Sequence, residues 1–173
     1  MNKMILLSST LLLAAGCAAT PKSTVQVPDA LRPGAGEKLV QVVPAKGDQI
    51  YECREKKDQA GAYDWAFVAP QAALFDGSGK PIGKHYAGPS WEAADGSKIV
   101  GKVKQLSASP AARAIPWLLL ETKSAGAEGA FSRVTSIQRV ATVGGVAPAG
   151  GCPQAGTQIR VPYTADYYFF SVK

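Results

Sequence analysis

Residues 63–103, YDWAFVAPQAALFDGSGKPIGKHYAGPSWEAADGSKIVGKV, hold the fold class in their spacing and punctuation. YDWAFVAP places Tyr63, Trp65, Phe67 and Ala69 on one face at a period of two, the pattern of a strand with its aromatic side buried. Asp76-Gly77-Ser78-Gly79 then separates Ala73-Leu74-Phe75 from the segment Pro81 to Tyr86, and Asp and Gly tolerate the positive φ that hairpin turns require. Asp95-Gly96 turns the chain again. Beyond it Ile99, Gly101, Val103 and Gln105 alternate with Lys98, Val100, Lys102 and Lys104, and lysines along one side mark a solvent-facing or edge strand.

The same grammar extends in both directions. KLVQVV (38–43) and QIYECR (49–54) read as two short strands around Pro44 and Gly47. IPWLLLETK (115–123) is apolar on both faces, as in a strand covered on each side. Phe131, Val134, Ile137 and Val140 recur at a spacing of three, which suits a helix as well as a strand; the β-branched content and Gly144-Gly145 favour a strand with a bulge near Ser136. VPYTADYYFFSVK closes the chain with rings on both faces, a terminal strand buried in the sheet. Residues 106–114 admit one helical turn, and no stretch keeps a 3.6 period over three turns. With 173 residues, 46% of them hydrophobic, 18 Gly and 12 Pro, the chain reads as a single all-β domain. The expected architecture is a sandwich or barrel of about eight to ten short strands.

The N-terminus carries Lys3 and an apolar run from Met4 to Ala15, too short for a bilayer-spanning helix of about 20 residues and suited to a signal-peptide core. LAAGC (13–17) resembles the lipobox of bacterial lipoproteins. That resemblance implies cleavage before Cys17 and acylation of its thiol and new amino group. The expected division is a signal peptide over 1–16, a lipidated N-terminus and flexible tether over 17–36, and a β domain over 37–173. Ala18 stands where lipoproteins held at the inner membrane usually carry Asp, which favours the outer membrane of a two-membrane envelope. Several acyl chains anchor durably, since each buried CH₂ contributes about 0.8 kcal/mol.

Removing Lys3 from 19 basic residues leaves 18 against 13 acidic, a net charge of +5 for the cleaved chain. The positives are dispersed. Even the densest stretch, ECREKKD (52–58), interleaves Arg54, Lys56 and Lys57 with Glu52, Glu55 and Asp58, which argues against a nucleic-acid footprint. Cys53 and Cys152 remain after Cys17, and an exported protein with two further cysteines is expected to pair them in a disulfide.

GKHYAGPSWEAADGSK (83–98) gathers the residues with most chemistry: the chain's one histidine, a tryptophan and two carboxylates. As a catalytic set, His85 would be a general base oriented by Glu92 or Asp95, with Ser90 or Ser97 as nucleophile. No Gly-x-Ser-x-Gly elbow supports this. As a binding set, His85, Tyr86, Trp91, Glu92 and Asp95 would hold a small molecule, a glycan or an envelope protein in a loop on a rigid β scaffold, while Trp65 and Trp117 fill the core. One imidazole with scattered carboxylates, Asp76 among them, is a poor metal set, so no metal is expected. The G-x-G-x-x-G turn of dinucleotide sites is missing, and no cofactor is expected. The favoured reading is a membrane-anchored, non-enzymatic binding lipoprotein; the alternative is an envelope hydrolase using His85.

Four blocks carry a resemblance: WAFVAPQAALFDGSGKPIGKHYAGPSWEAADGSKIVG (65–101), IPWLLL (115–120), FSRVTSIQRVATVGGVAPAGGC (131–152) and RVPYTADYYFF (160–170). Over roughly residues 25–172 the chain resembles the DUF3455 family of exported proteins. The resemblance implies a mostly β fold and export, and supplies no catalytic residues, ligand or cofactor.

Overall fold

A computed structural model describes residues 25–172. The segment expected to be a signal peptide, residues 1–16, and Cys17 lie outside the described residues. Eight strands follow one another: β1 (Glu37–Lys56), β2 (Gln59–Phe75), β3 (Pro81–Tyr86), β4 (Ser90–Ala93), β5 (Lys98–Ser107), β6 (Trp117–Ser124), β7 (Ser136–Gly144) and β8 (Gln158–Val172). Each pairs antiparallel with its neighbour in sequence, and β8 returns to pair with β1, so the sheet closes into an up-and-down barrel. Closure removes both sheet edges. β5, with its lysine-bearing side, is therefore solvent-facing without being an edge strand.

Alternation sets the two sides of the wall. Val43 and Ala45 of β1, Ala72 and Leu74 of β2, Trp91 of β4, Ile99 of β5, Leu120 of β6, Ile137 of β7, and Tyr163, Tyr167 and Phe169 of β8 fill the interior. A fully buried Leu74 or Ile137 contributes about 1.5–3 kcal/mol through lost apolar exposure. A second apolar layer lies outside the barrel. Leu31, from a 3₁₀ turn at Asp29–Leu31, packs with Val25 and Val27 over Trp117, Leu119, Val140 and Tyr168. Gln138 pins this segment by donating from Nε2 to the Leu31 carbonyl, 2.6 Å away. Leu118 and Leu120 face inward and Trp117 and Leu119 face this layer, which is why IPWLLL is apolar on both sides.

Several local expectations change. The segments read as two strands around Pro44 and Gly47 form the single long strand β1, and a Cβ on Gly47 would stand 2.1 Å from the Gln71 carbonyl oxygen, so β2 crosses there only because the side chain is missing. Residues 63–75 likewise continue one strand, β2. Its buried face lies at Ala72 and Leu74, while Phe67 is 52% exposed and Trp65 is only half-buried. Trp117 is buried, but outside the barrel rather than in its interior. Phe131 and Val134 precede β7, and the irregularity in that strand falls at Ala141, φ +48°, between the pairs Val140–Asp166 and Val143–Thr164, rather than near Ser136. The stretch 108–116 forms no helical turn. From Val25 onward the described part of segment 17–36 lies against the barrel wall.

Candidate functional site

The two ends of the barrel differ. At one end the connection between β6 and β7 folds inward, placing Phe131 and Val134 in the core, with Phe131 edge-on to Phe169 at 5.0 Å. Asp95 and Ser97 hold it there. Asp95 Oδ1 accepts from Ser97 N (2.9 Å) and Ser97 Oγ (2.6 Å), and Oδ2 accepts from Ala130 N (2.8 Å). Ser97 Oγ in turn accepts from Phe131 N at 3.0 Å. The Ser97 hydroxyl, followed by the Ala130 N–H, draws the Asp95 carboxyl below its ordinary pKa. This end is closed.

The other end, where β3 turns into β4 and β5 leads to β6, opens into a cavity of about 400 Å³, a volume within the roughly 300–1,000 Å³ range of ligand pockets. Its deep wall is aromatic. His85 and Trp91 are direct cross-strand partners and stack with ring centroids 4.3 Å apart, and Tyr167 meets both edge-on, at 5.1 and 5.4 Å. Phe67, Val68 and Val103 line the cavity and stay substantially exposed, giving it an apolar rim. Gly101 makes room for the stack, because a Cβ there would lie 2.8 Å from Trp91 Cζ3 and 3.2 Å from Leu120 Cδ2. The Cys53–Cys152 disulfide ties β1 to the β7–β8 connection at this end, and Tyr51 Oη donates to the Gly145 carbonyl at 2.6 Å.

His85 is 2% exposed and burial drives its pKa down to about 3, against a smaller opposing effect of the Ser90 carbonyl, with nearby Arg139 adding to the depression. The ring is therefore neutral at physiological pH. Ser90 O, 2.8 Å from Nδ1, can only accept, so Nδ1 carries the proton and Nε2 keeps its lone pair. A base this weak abstracts no proton efficiently near pH 7.

The predicted site residues do not form one set. The parity that brings His85 and Trp91 inside sends Tyr86 and Glu92 outside, where Tyr86 Oη donates to Glu92 Oε2 at 2.5 Å and Lys84 pairs with Glu92 Oε1 at 3.0 Å. Asp95 belongs to the closed end. The triad of His85 with Glu92 or Asp95 is not assembled, Ser97 is engaged with Asp95, and the expected binding set is split, with His85 and Trp91 inside the barrel, Tyr86 and Glu92 on its outer face and Asp95 at the closed end. Among the described residues no group of three His, Cys, Asp or Glu is placed to hold a metal ion.

Residues that sequence reading missed complete the cavity: Gln49 and Tyr51 of β1, Arg139 of β7 and Tyr167 of β8. Arg139 shares the parity of the fully buried Ile137, and that alternation was the available signal; the spacing of three through Phe131, Val134 and Val140 concealed it. Arg139 donates from Nε (3.1 Å) and Nη2 (2.8 Å) to the Pro116 carbonyl. Burial raises the Tyr167 and Tyr51 phenols above their ordinary pKa, and the Arg139 charge pulls both back.

The model of a family described as a protein of unknown function, DUF3455, matches residues 33–171. The chain belongs to the DUF3455 family. The match covers β1 to β7 and β8 up to Ser171, so the barrel and both of its ends lie within the DUF3455 region. No curated protein and no solved structure matches the chain.

Proposed function

We propose that this protein is a membrane-anchored binding barrel of the bacterial envelope, which takes a small, largely apolar molecule into the open end and leaves it chemically unchanged. The observation that carries this reading is the cavity: about 400 Å³, floored by the aromatic stack of His85, Trp91 and Tyr167, with an apolar rim and a sealed opposite end. Concave, mostly apolar pockets with a few fixed polar groups suit small ligands better than a flat protein partner or a heavily hydroxylated glycan. The hydrolase alternative has neither a competent base in His85 nor a carboxylate beside it. In this reading Cys17 carries the lipid and residues 18–24 lead from the membrane to the barrel wall at Val25.

Two measurements test the two halves. Titration with the neutral apolar dye N-phenyl-1-naphthylamine should give saturable fluorescence enhancement that Leu118→Trp, which fills the cavity, abolishes; absence of saturable binding to the native protein would refute the binding reading. Mass spectrometry of the mature N-terminal peptide should find acylated Cys17, and Cys17→Ser should move the protein out of the membrane fraction. An unmodified Cys17 in the native host would refute the anchor.

A further inference from the structure

We propose that the ligand of this cavity is a monoanion, a carboxylate carried on an apolar body, and that Arg139 is the residue that recognises its head group. The inference rests on the binding reading above and names the chemistry of the same site. Arg139 lines the cavity, and no lining residue is an aspartate or glutamate. Among the described residues it takes part in no ion pair; the cationic partners of the carboxylates lie elsewhere on the barrel, Arg160 with Asp48 and Lys84 with Glu92 among them. A half-buried guanidinium without a counterion is a costly arrangement that an anion would relieve.

The donors are arranged accordingly. Pro116 O occupies Nε and one Nη2 proton and the Tyr167 hydroxyl lies beside the guanidinium, but among the described residues no carboxylate takes the Nη1–Nη2 edge of the fork. That edge matches the two oxygens of a carboxylate. Two further N–H donors of cavity-lining residues, Gln49 Nε2 and Trp91 Nε1, have no acceptor among the described residues, but both are sealed within the wall with no surface on the cavity, so the head group is left to Arg139; the Gln49 amide lies beside the Tyr163 hydroxyl. Gln49 is 2% exposed and Trp91 1%, so neither donor has solvent as a substitute. A wall with one fixed positive charge and no carboxylate calls for a head of one negative charge. His85 adds no second cation, because its ring is neutral. A phosphate dianion would leave one charge uncompensated, and an ammonium head would face Arg139 with like charge.

The test is a matched series at pH 7 on the full-length protein: decanoate, decanol, decylamine and decyl phosphate, each titrated by isothermal calorimetry. Decanoate should bind about tenfold or more tightly than decanol, the ratio expected from one charge-assisted bidentate pair, with decylamine weakest. Arg139→Met should remove that advantage, bringing the decanoate affinity to or below that of decanol. Arg160→Ala, which deletes the same charge on the outer surface, should change neither. Equal affinity for decanoate and decanol in the native protein overturns the anion inference and leaves the binding reading standing. Failure of all four to bind overturns this inference, and the dye titration above then decides whether the binding reading stands. Tighter binding of decyl phosphate than decanoate overturns the choice of head group. The native series decides these outcomes even if Arg139→Met does not fold, and Arg139→Lys, which keeps the charge without the fork, should retain part of the preference.

Discussion

His85 and Trp91 lie opposite one another on β3 and β4, their planes 16° from parallel, because the register of that hairpin pairs them directly. The stack forms the deep wall of the cavity and removes the histidine from water. The only titrating imidazole in the chain thereby becomes a structural ring.

Acid sensitivity follows from that burial. The folded pKa of about 3 lies below the ordinary 6.5, so on acidification the unfolded chain takes up a proton that the folded chain refuses. Stability is full above pH 6.5 and falls as the pH drops toward 3, by about 1 kcal/mol from pH 6 to pH 5. Ordinary carboxylates still hold their charge over most of this window, and the groups facing the ring are Trp91, Tyr167, Arg139 and the Ser90 carbonyl. Urea unfolding of native protein and His85→Phe at both pH values measures the effect; equal losses in the two proteins would reject it.

Gly101→Ala places a methyl group against the rigid Trp91 ring. Overpacking of this kind costs about 1–3 kcal/mol. The variant should melt lower and show an altered near-ultraviolet circular dichroism spectrum, as Trp91 shifts toward the cavity. An unchanged melting temperature would mean that the ring has room to retreat.

The closed end should respond separately from the cavity. Ser97→Ala strips Phe131 N of its acceptor in a fully buried position and should destabilise by about 1–3 kcal/mol. Asp95→Ala releases Ala130 N and should accelerate amide exchange across residues 129–132. Binding of the naphthylamine dye should survive both changes at temperatures where the variants are folded. Loss of dye binding by a fully stable Asp95→Ala protein would instead place Asp95 in the site.

Reduction of Cys53–Cys152 frees a loop spanning a sequence separation of 99 residues. Loss of such a bridge costs about 2–5 kcal/mol in the chain-entropy range. Denaturant midpoints with and without dithiothreitol, repeated on Cys53→Ser/Cys152→Ser, should agree with each other and lie well below the oxidised protein. Equal midpoints for the oxidised and reduced forms would remove the bridge from any role in stability.

Strands and turns were legible because their causes are local. Asp76-Gly77, Asp95-Gly96 and the alternation of Ile99, Gly101 and Val103 with lysines act within a few residues, and they specify antiparallel strands wherever the chain ends up. The pairing of Cys53 with Cys152 followed from the cysteine count and the expectation of export. Tyr86, Glu92 and Asp95 looked like partners of His85 because they are near it in sequence, yet side chains one position apart on a strand point to opposite sides of the wall. The long strands β1 and β2 were broken too early for a related reason: Pro44 and Gly47 are local stop signals, and only the neighbouring strands reveal why they are tolerated. Which face became the interior depended on closure of β8 onto β1, a contact between the two ends of the chain. That closure turned Gln49, Tyr51, Arg139 and Tyr167, separated by up to 118 residues between Gln49 and Tyr167, into one wall. Alternation supplies two faces, and the register of distant strands chooses between them.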